Sequence, residues 1–198
     1  MSTELLHDPI YKYPQYTLKR QIMKMIGGRY RIFGPGGELV LVAEKEGFKL
    51  KEQIHVYRLE NRADPVFGIF ARQVLDFAAT YDVVDLVTNQ KLGALQRKGW
   101  KSIARDEWQI LDPWDRPVGL VVEDSMAMAL IRRFISNLIP QNYDGTINGV
   151  KVADYRQSWN PLVYNLTIDF LPDMQGLDRR VGFAAAILLA SIEGRQSG

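Results

Sequence analysis

Few side chains in this chain of 198 residues are of the types that carry out catalysis or bind metal ions. There is no cysteine to act as a nucleophile, the only histidines are His7 and His55, and no GxSxG motif is present. Asp169, Asp173 and Asp178 are the best candidates for Ca²⁺ ligands, but they fall short of the about six to eight oxygens that this ion prefers. We therefore predict no catalytic residue, no metal site and no cofactor, in a protein that is not an enzyme.

Basic residues surround an aromatic residue in two separate stretches, KEGFKLK at 45–51 and QRKGWKSIAR at 96–105. Cations beside an aromatic side chain can hold a phosphate or a lipid headgroup while the aromatic enters the membrane interface. The alternative is a strand with an exposed charged face whose aromatic packs inward, which is common in antiparallel sheets. On the first interpretation the headgroup-binding residues are Lys45, Lys49, Lys98, Lys101 and Arg105.

These two stretches occupy equivalent positions in an internal repeat of β-hairpins. A shift of 52 residues places Gly47-Phe48-Lys49 on Gly99-Trp100-Lys101, and Pro65-Val66 on Pro117-Val118. A looser third copy runs from Arg133 to Phe170, so about four strands in each of three copies predict about twelve strands. Strand-like runs separated by turn residues, including the strong hairpin signal Asn148-Gly149, cover 29–44, 80–95, 107–123, 146–155 and 163–170.

The longest apolar run, Val181 to Ile192, predicts a buried helix. As a helix it is about 18 Å long, whereas a bilayer core is about 30 Å thick, so the run is too short to cross a membrane. It is apolar on every side and therefore must be enclosed by protein. We expect Asp178 to cap its start and Gly194 to end it. The residues that would fill the core are Val181, Phe183, Ile187, Leu188, Leu189 and Ile192.

Together the hairpins and the helix predict a mainly β fold. A barrel of about eight strands is filled by its own side chains, whereas a larger barrel needs a plug. We expect a closed antiparallel barrel of about twelve strands around the C-terminal helix, formed by a single domain at 16–198 after an N-terminal extension at 1–15. An amphipathic helix is predicted at about 125–138, either packed on the barrel or lying in a membrane interface.

The segments FARQVLDFAATYDVVD (70–85), LGALQRKGW (92–100) and YNLTIDFLPDMQGLDRRVGFAAAILLAS (164–191) resemble the tubby C-terminal-like superfamily, in its LURP-one-related and phospholipid scramblase-like branch. The resemblance implies a twelve-stranded barrel around a hydrophobic C-terminal helix. In tubby proteins it also implies phosphoinositide binding through basic residues, which do not align one by one with this chain. Because the chain has no cysteine cluster, no long proline-rich N-terminal region and no closely spaced acidic loop, lipid scrambling and calcium dependence are not carried over.

The overall charge bears on nucleic-acid binding, and the N-terminal sequence bears on the cellular location. With 25 basic and 23 acidic residues, the chain is too balanced for a typical nucleic-acid-binding protein. It begins without the basic and apolar stretches of a signal peptide, so we expect a cytoplasmic protein, peripheral at a membrane and without a transmembrane span. The leading hypothesis is a barrel that binds anionic lipid headgroups. The alternative is a soluble scaffold that contacts a protein partner through the 125–138 helix or the turn near Trp108 and Trp114.

Overall fold

The computed structural model of the protein describes residues 8–21, 28–46, 52–58, 60–73, 79–98, 107–124, 140–160 and 163–196. In these ranges the chain forms twelve strands and two helices. The helices are α1 (Pro9–Lys12) and α2 (Arg179–Gln196). The strands are β1 (Gln15–Gln21), β2 (Arg29–Phe33), β3 (Leu39–Lys45), β4 (Gln53–Tyr57), β5 (Pro65–Ala71), β6 (Thr80–Asp85), β7 (Lys91–Arg97), β8 (Glu107–Leu111), β9 (Pro117–Glu123), β10 (Asn142–Ile147), β11 (Val150–Ser158) and β12 (Val163–Phe170).

The twelve strands form one closed antiparallel barrel in which every strand pairs with its neighbours in sequence. The ring closes where β1 pairs with β12, in a register that runs from Gln15 opposite Asp169 to Gln21 opposite Val163. The predicted mainly β class, strand number and closure are thus confirmed. The amphipathic helix predicted at 125–138 lies outside the described residues.

The hairpin repeat is visible in the strand boundaries. A shift of 52 residues carries the whole of β3 onto β7 and the whole of β5 onto β9. The predicted turn between β10 and β11 also forms, with Asn148 and Gly149 at φ angles of 49° and 80°. Positive φ at both central residues gives a two-residue turn the twist that matches its flanking strands, and asparagine and glycine tolerate that conformation best.

Strand direction separates the connections into two sets. The odd-numbered strands all finish at one end of the barrel, here called the Lys45 end because β3 finishes there. At this end lie the connections 22–28, 46–52, 72–79, 98–106, 124–141 and 159–162. The other end, called the Trp114 end after the β8–β9 turn, carries the connections 34–38, 58–64, 86–90, 112–116, 148–149 and 171–178.

Helix α2 runs through the inside of the barrel. It contacts β12 and β1 on one side and β6 and β7 on the other, and these two strand pairs lie at opposite points of the ring. Every residue from Val181 to Ser191 is buried, as expected for a helix without a polar face. Five of the six predicted core residues are therefore confirmed, Val181, Phe183, Ile187, Leu188 and Leu189, while the side chain of Ile192 lies outside the described residues.

The small residues of α2 allow the barrel wall to approach the helix closely. Phe183 packs edge-on against Tyr16 and Phe170, with ring centroids 4.9 and 5.1 Å away. At Gly182 a β-carbon would stand only 2.5 Å from the Phe170 ring, so no larger residue fits there without movement of the ring. The hydroxyl of Tyr155 donates to the Gly182 carbonyl oxygen at 3.1 Å, and burial raises the pKa of this tyrosine.

The start of α2 agrees with the prediction and its end does not. Asp178 caps the helix, since its carboxylate accepts a hydrogen bond of 2.9 Å from the Arg180 amide. The predicted stop at Gly194 is wrong, because the helix continues to Gln196. A glycine inside a helix costs only about 1 kcal/mol relative to alanine and does not by itself end one. In the described ranges, no helix has both the length and the apolar character needed to cross a bilayer.

Candidate functional site

The cations predicted to bind a headgroup lie in the sequence at or just after the ends of β3 and β7, and both strands finish at the same end of the barrel. Lys45 is the last residue of β3, and Lys98 directly follows β7, so both lie at the Lys45 end. The remaining three, Lys49, Lys101 and Arg105, fall in segments 47–51 and 99–106, outside the described residues. Strands β3 and β7 are four places apart in the ring, so the two lysines lie on separate parts of its edge.

Both described lysines are ion-paired with a carboxylate of the chain that follows. The Nζ atom of Lys45 lies 2.6 Å from Glu52 Oε1, and that of Lys98 lies 2.6 Å from Glu107 Oε1. The Lys98 side chain is 42% exposed and that of Lys45 is 25% exposed. Since an ammonium group has three donors, each lysine can donate a hydrogen bond to a phosphate oxygen while keeping its carboxylate partner.

Glu52 connects this edge to the helix inside the barrel. Its side chain is only 11% exposed. One carboxylate oxygen accepts a hydrogen bond of 3.2 Å from Ser191 Oγ of α2, and the other accepts one of 3.2 Å from the Tyr81 hydroxyl of β6. The ion pair with Lys45 therefore helps to balance a nearly buried charge that also holds the turn of α2 at Ser191.

Arg20 holds the same turn of α2 from strand β1. Its Nη1 atom donates to the Ala190 carbonyl oxygen at 2.9 Å, and its guanidinium lies 5.5 Å from the Tyr30 ring centre. The helix continues for six residues beyond Ala190, so this contact is a charged hydrogen bond to a carbonyl group within the helix and not to its terminus. The repeat shift of 52 residues also places Arg20-Gln21 on Arg72-Gln73. The sequence gives no other sign of the role of Arg20, because its partner lies 170 residues away.

At the Trp114 end two arginines hold the start of α2. Arg180 bonds to Asp85 of β6 at 2.6 Å and to Asp178 at 2.7 Å. Arg179 donates to the carbonyl oxygens of Tyr11 and Tyr13 at 3.0 and 2.6 Å, which fixes the segment around α1 against the barrel. Two cations at the positive end of a helix dipole are otherwise unfavourable, and these contacts compensate for that cost. Burial and the nearby Asp178 raise the pKa of Tyr11 to about 12.

The acidic residues considered as calcium ligands are each engaged elsewhere. Asp169 accepts a hydrogen bond from Gln15 Nε2 at 2.7 Å, and Asp173 accepts one from the Gln175 amide at 2.9 Å. Asp178 caps α2. Within the described ranges, no group of three histidine, aspartate or glutamate side chains is arranged to hold a metal ion. His55 pairs with Glu46 at 3.0 Å.

Among the described residues, each end of the barrel carries one exposed tryptophan. Trp108, predicted as part of a contact surface, is buried in the barrel with 3% exposure, because its position on β8 points inward. Trp114 is 74% exposed in the β8–β9 turn at the Trp114 end. Trp159 is 59% exposed just beyond β11, at the Lys45 end, and the sequence analysis did not single it out. Its signal was its place in Trp-Asn-Pro, a turn sequence between two predicted strands.

The charges of the connections also differ between the ends. At the Lys45 end the six connections contain nine basic and five acidic residues, counted over full sequences that extend beyond the described residues. At the Trp114 end the connections contain three basic and seven acidic residues. The two sets of connections thus have opposite net charges in the sequence, although the overall charge is close to balance. Most of the basic residues counted lie outside the described residues, and Arg72, one of the nine, is paired with Asp115 of the β8–β9 turn.

Neither a scan of protein-family models nor a search of curated proteins found a match to this chain. Its function therefore has to be inferred from the barrel and from the residues at its two ends.

Proposed function

We propose that this protein is a non-enzymatic, tubby-like barrel of the scramblase-like kind that binds anionic lipid headgroups at a membrane surface through its Lys45 end. The observation that carries the proposal is the concentration of basic residues in the connections of that end, against an acidic excess at the other. Each cation near an anionic membrane surface contributes about 1 kcal/mol, and the acidic end is repelled. The charge distribution therefore favours one orientation on the membrane.

The filled interior supports headgroup binding rather than the carriage of a whole lipid. Val181 to Ser191 are buried inside the ring, where side chains such as Phe183 contact the inward-facing aromatic residues of the strands. A lipid tail inside the barrel would have to displace this helix and its contacts. A headgroup at the edge displaces nothing, because Lys98 is exposed and retains free donor positions beside Glu107.

Co-sedimentation of the full chain with vesicles tests the proposal. We expect binding to vesicles that contain phosphatidylserine or a phosphoinositide, little binding to pure phosphatidylcholine vesicles, and weaker binding at high salt because salt screens exposed charges. Lys98→Gln should weaken binding to anionic vesicles about fivefold, from the loss of about 1 kcal/mol. Lys45 is a poorer choice, because its removal also changes the environment of Glu52.

Lys151→Gln is the matched control for Lys98→Gln. Lys151 is the second residue of β11 at the Trp114 end, its side chain is 39% exposed, and it is paired with Asp144 at 2.9 Å and Asp154 at 2.6 Å. Its replacement removes the same charge from the opposite end, and binding should not change. Equal recovery of the unaltered chain in the supernatant with both lipid compositions would overturn the proposal and favour the protein-binding alternative.

A further inference from the structure

A large aromatic side chain stands exposed at the end of the barrel proposed to meet the membrane. Trp159 follows the last residue of β11 and is 59% exposed, whereas the other large aromatic residues of β11 and β12, Tyr155, Tyr164 and Phe170, are buried. A single exposed apolar side chain is common on a protein surface and does not by itself mark an interaction site. Tryptophan, however, prefers the boundary between the headgroups and the acyl chains of a bilayer, so its position at the end proposed to meet the membrane is informative.

Two exposed cations lie on the outward faces of strands close to Trp159 in the barrel wall. Arg156 precedes it on β11 with 58% side-chain exposure, and its guanidinium lies 3.4 Å from the Asp154 carboxylate. Ser158, the residue before Trp159, is paired with Asn165 of β12, and Asn165 is paired in turn with Lys19 of β1. The backbone of Lys19 is therefore about 10 Å from Ser158 at the usual strand spacing, but its Nζ atom lies over the Phe33 ring, 5.2 Å from the ring centre and toward the Trp114 end. An exposed aromatic residue and an exposed arginine on one strand match a surface of phosphates above acyl chains.

We propose that Trp159 is the interfacial anchor of the Lys45 end and enters an anionic bilayer while Arg156 contacts a lipid phosphate. The inference rests on the proposed function and adds to it a contact residue and an orientation. In that orientation β11 points toward the membrane and the β8–β9 turn points away from it. The ligand surface is a bilayer with negatively charged headgroups, and a protein partner is an outcome that the test below separates.

Trp114 is more exposed than Trp159 but has surroundings that oppose membrane contact. It lies at the Trp114 end between Asp112 and Asp115. The Trp114 amide donates a hydrogen bond of 2.9 Å to Asp112 Oδ1 within this turn. The Arg116 guanidinium lies over its ring, 5.1 Å from the ring centre. Asp112 is paired with Arg116 at 2.6 Å and Asp115 with Lys91 at 2.6 Å, so membrane contact is opposed by the acidic excess of the connections at this end. Trp114 therefore provides a control of the same residue type and similar exposure at the wrong end.

The test compares Trp159→Ser with Trp114→Ser in the full chain, by co-sedimentation with vesicles of phosphatidylcholine and phosphatidylserine. Loss of a partly inserted tryptophan should weaken binding about tenfold in Trp159→Ser, whereas Trp114→Ser should bind like the unaltered chain. Trp159→Phe should retain most of the binding, since phenylalanine keeps an aromatic anchor. Circular dichroism and urea unfolding of each variant verify that the barrel remains folded, as expected for exposed positions.

Fluorescence gives a second measurement that does not depend on affinity. Vesicles with brominated acyl chains should quench part of the tryptophan emission of the unaltered chain. The amount of emission that is quenched should be smaller in Trp159→Phe and unchanged in Trp114→Phe. It is measured at lipid concentrations where each protein is fully bound.

The outcomes separate the inference from the function on which it rests. If the unaltered chain does not bind anionic vesicles, the proposed function fails. If it binds and Trp159→Ser binds equally well, with unchanged quenching, the anchor is wrong and the proposed function stands. If Trp114→Ser is the weakened variant, the orientation is reversed. If Trp159→Ser affects only the capture of a protein, the exposed tryptophan belongs to a protein interface and the inference is overturned.

Discussion

Arg20 and Glu52 show how single residues of the barrel wall fix the helix inside it. Arg20 binds the Ala190 carbonyl oxygen, and Glu52 accepts the Ser191 hydroxyl, so two neighbouring residues of α2 are held from separate strands. Neither role was predictable from the sequence. The contacts join residues 170 and 139 positions apart, and local spacing carries no information about such pairs. The carboxylate partners of Lys45 and Lys98 are much nearer in the sequence, seven and nine residues away, but their pairing depends on the register of each hairpin and was not predicted.

At the residue scale we expect Arg20→Gln to destabilise the barrel. The substitution removes a charged hydrogen bond to the Ala190 carbonyl group of α2 and leaves its oxygen with a weaker partner, which should lower the free energy of unfolding by about 1–3 kcal/mol. Urea unfolding followed by circular dichroism measures the effect. Lys19→Gln is the control, because Lys19 is the adjacent but outward-facing residue, and it should change stability by less than about 0.5 kcal/mol. Equal stability of the two variants would contradict the proposed contact.

At the scale of elements, hairpins and helix α2 were predictable because each has a local signal. The Asn148-Gly149 turn and the alternating residues Leu166, Ile168 and Phe170 depend on near neighbours, and both were confirmed. The uncharged run from Val181 to Ile192 predicted burial for the same reason. The predicted end of the helix was wrong. A single glycine costs a helix only about 1 kcal/mol, and the helix continues past Gly194 to Gln196.

The role of α2 as the filling of the barrel leads to a prediction for Ala185. This residue is 5% exposed inside the ring, so Ala185→Glu buries a charge without a partner and should cost more than about 4 kcal/mol. Truncation after Asp178 removes the whole filling and should leave an insoluble or unfolded chain. Val87→Glu introduces the same side chain in a turn at a position 75% exposed, and should remain folded. A soluble, cooperatively unfolding truncated chain would contradict the enclosed position of α2.

At the scale of the whole molecule, carboxylates with a lowered pKa are distributed around the outside of the barrel. Burial alone would raise the pKa of Asp85, but hydrogen bonds from the amides of Thr88 and Val87 and from Arg180 outweigh it and lower this pKa. Hydrogen bonds from Lys91 and Arg72 lower the pKa of Asp115. These carboxylates therefore bind protons less readily in the folded chain than in the unfolded one, and acid opposes folding.

We therefore expect the barrel to lose stability in acid. A carboxylate whose pKa is lowered by folding contributes its full stabilisation above the pKa of the unfolded chain, which for aspartate is near 3.8. The contribution disappears as the pH falls through the lower pKa of the folded state. Urea midpoints should be constant between pH 7 and about pH 5 and should fall below about pH 4. In Asp85→Asn the decrease should be smaller, although the variant is less stable at neutral pH. A midpoint independent of pH would contradict this expectation.

The position of α2 after all twelve strands has a consequence for how the protein is made. On the ribosome β1 emerges long before β12, with which it pairs to close the ring, and the helix that occupies the interior follows β12. The early hairpins can form during synthesis, but until α2 has left the exit tunnel their inward-facing aromatic residues have nothing to pack against. We therefore expect nascent chains of this protein to expose apolar surface for most of their translation and to be bound by ribosome-associated chaperones.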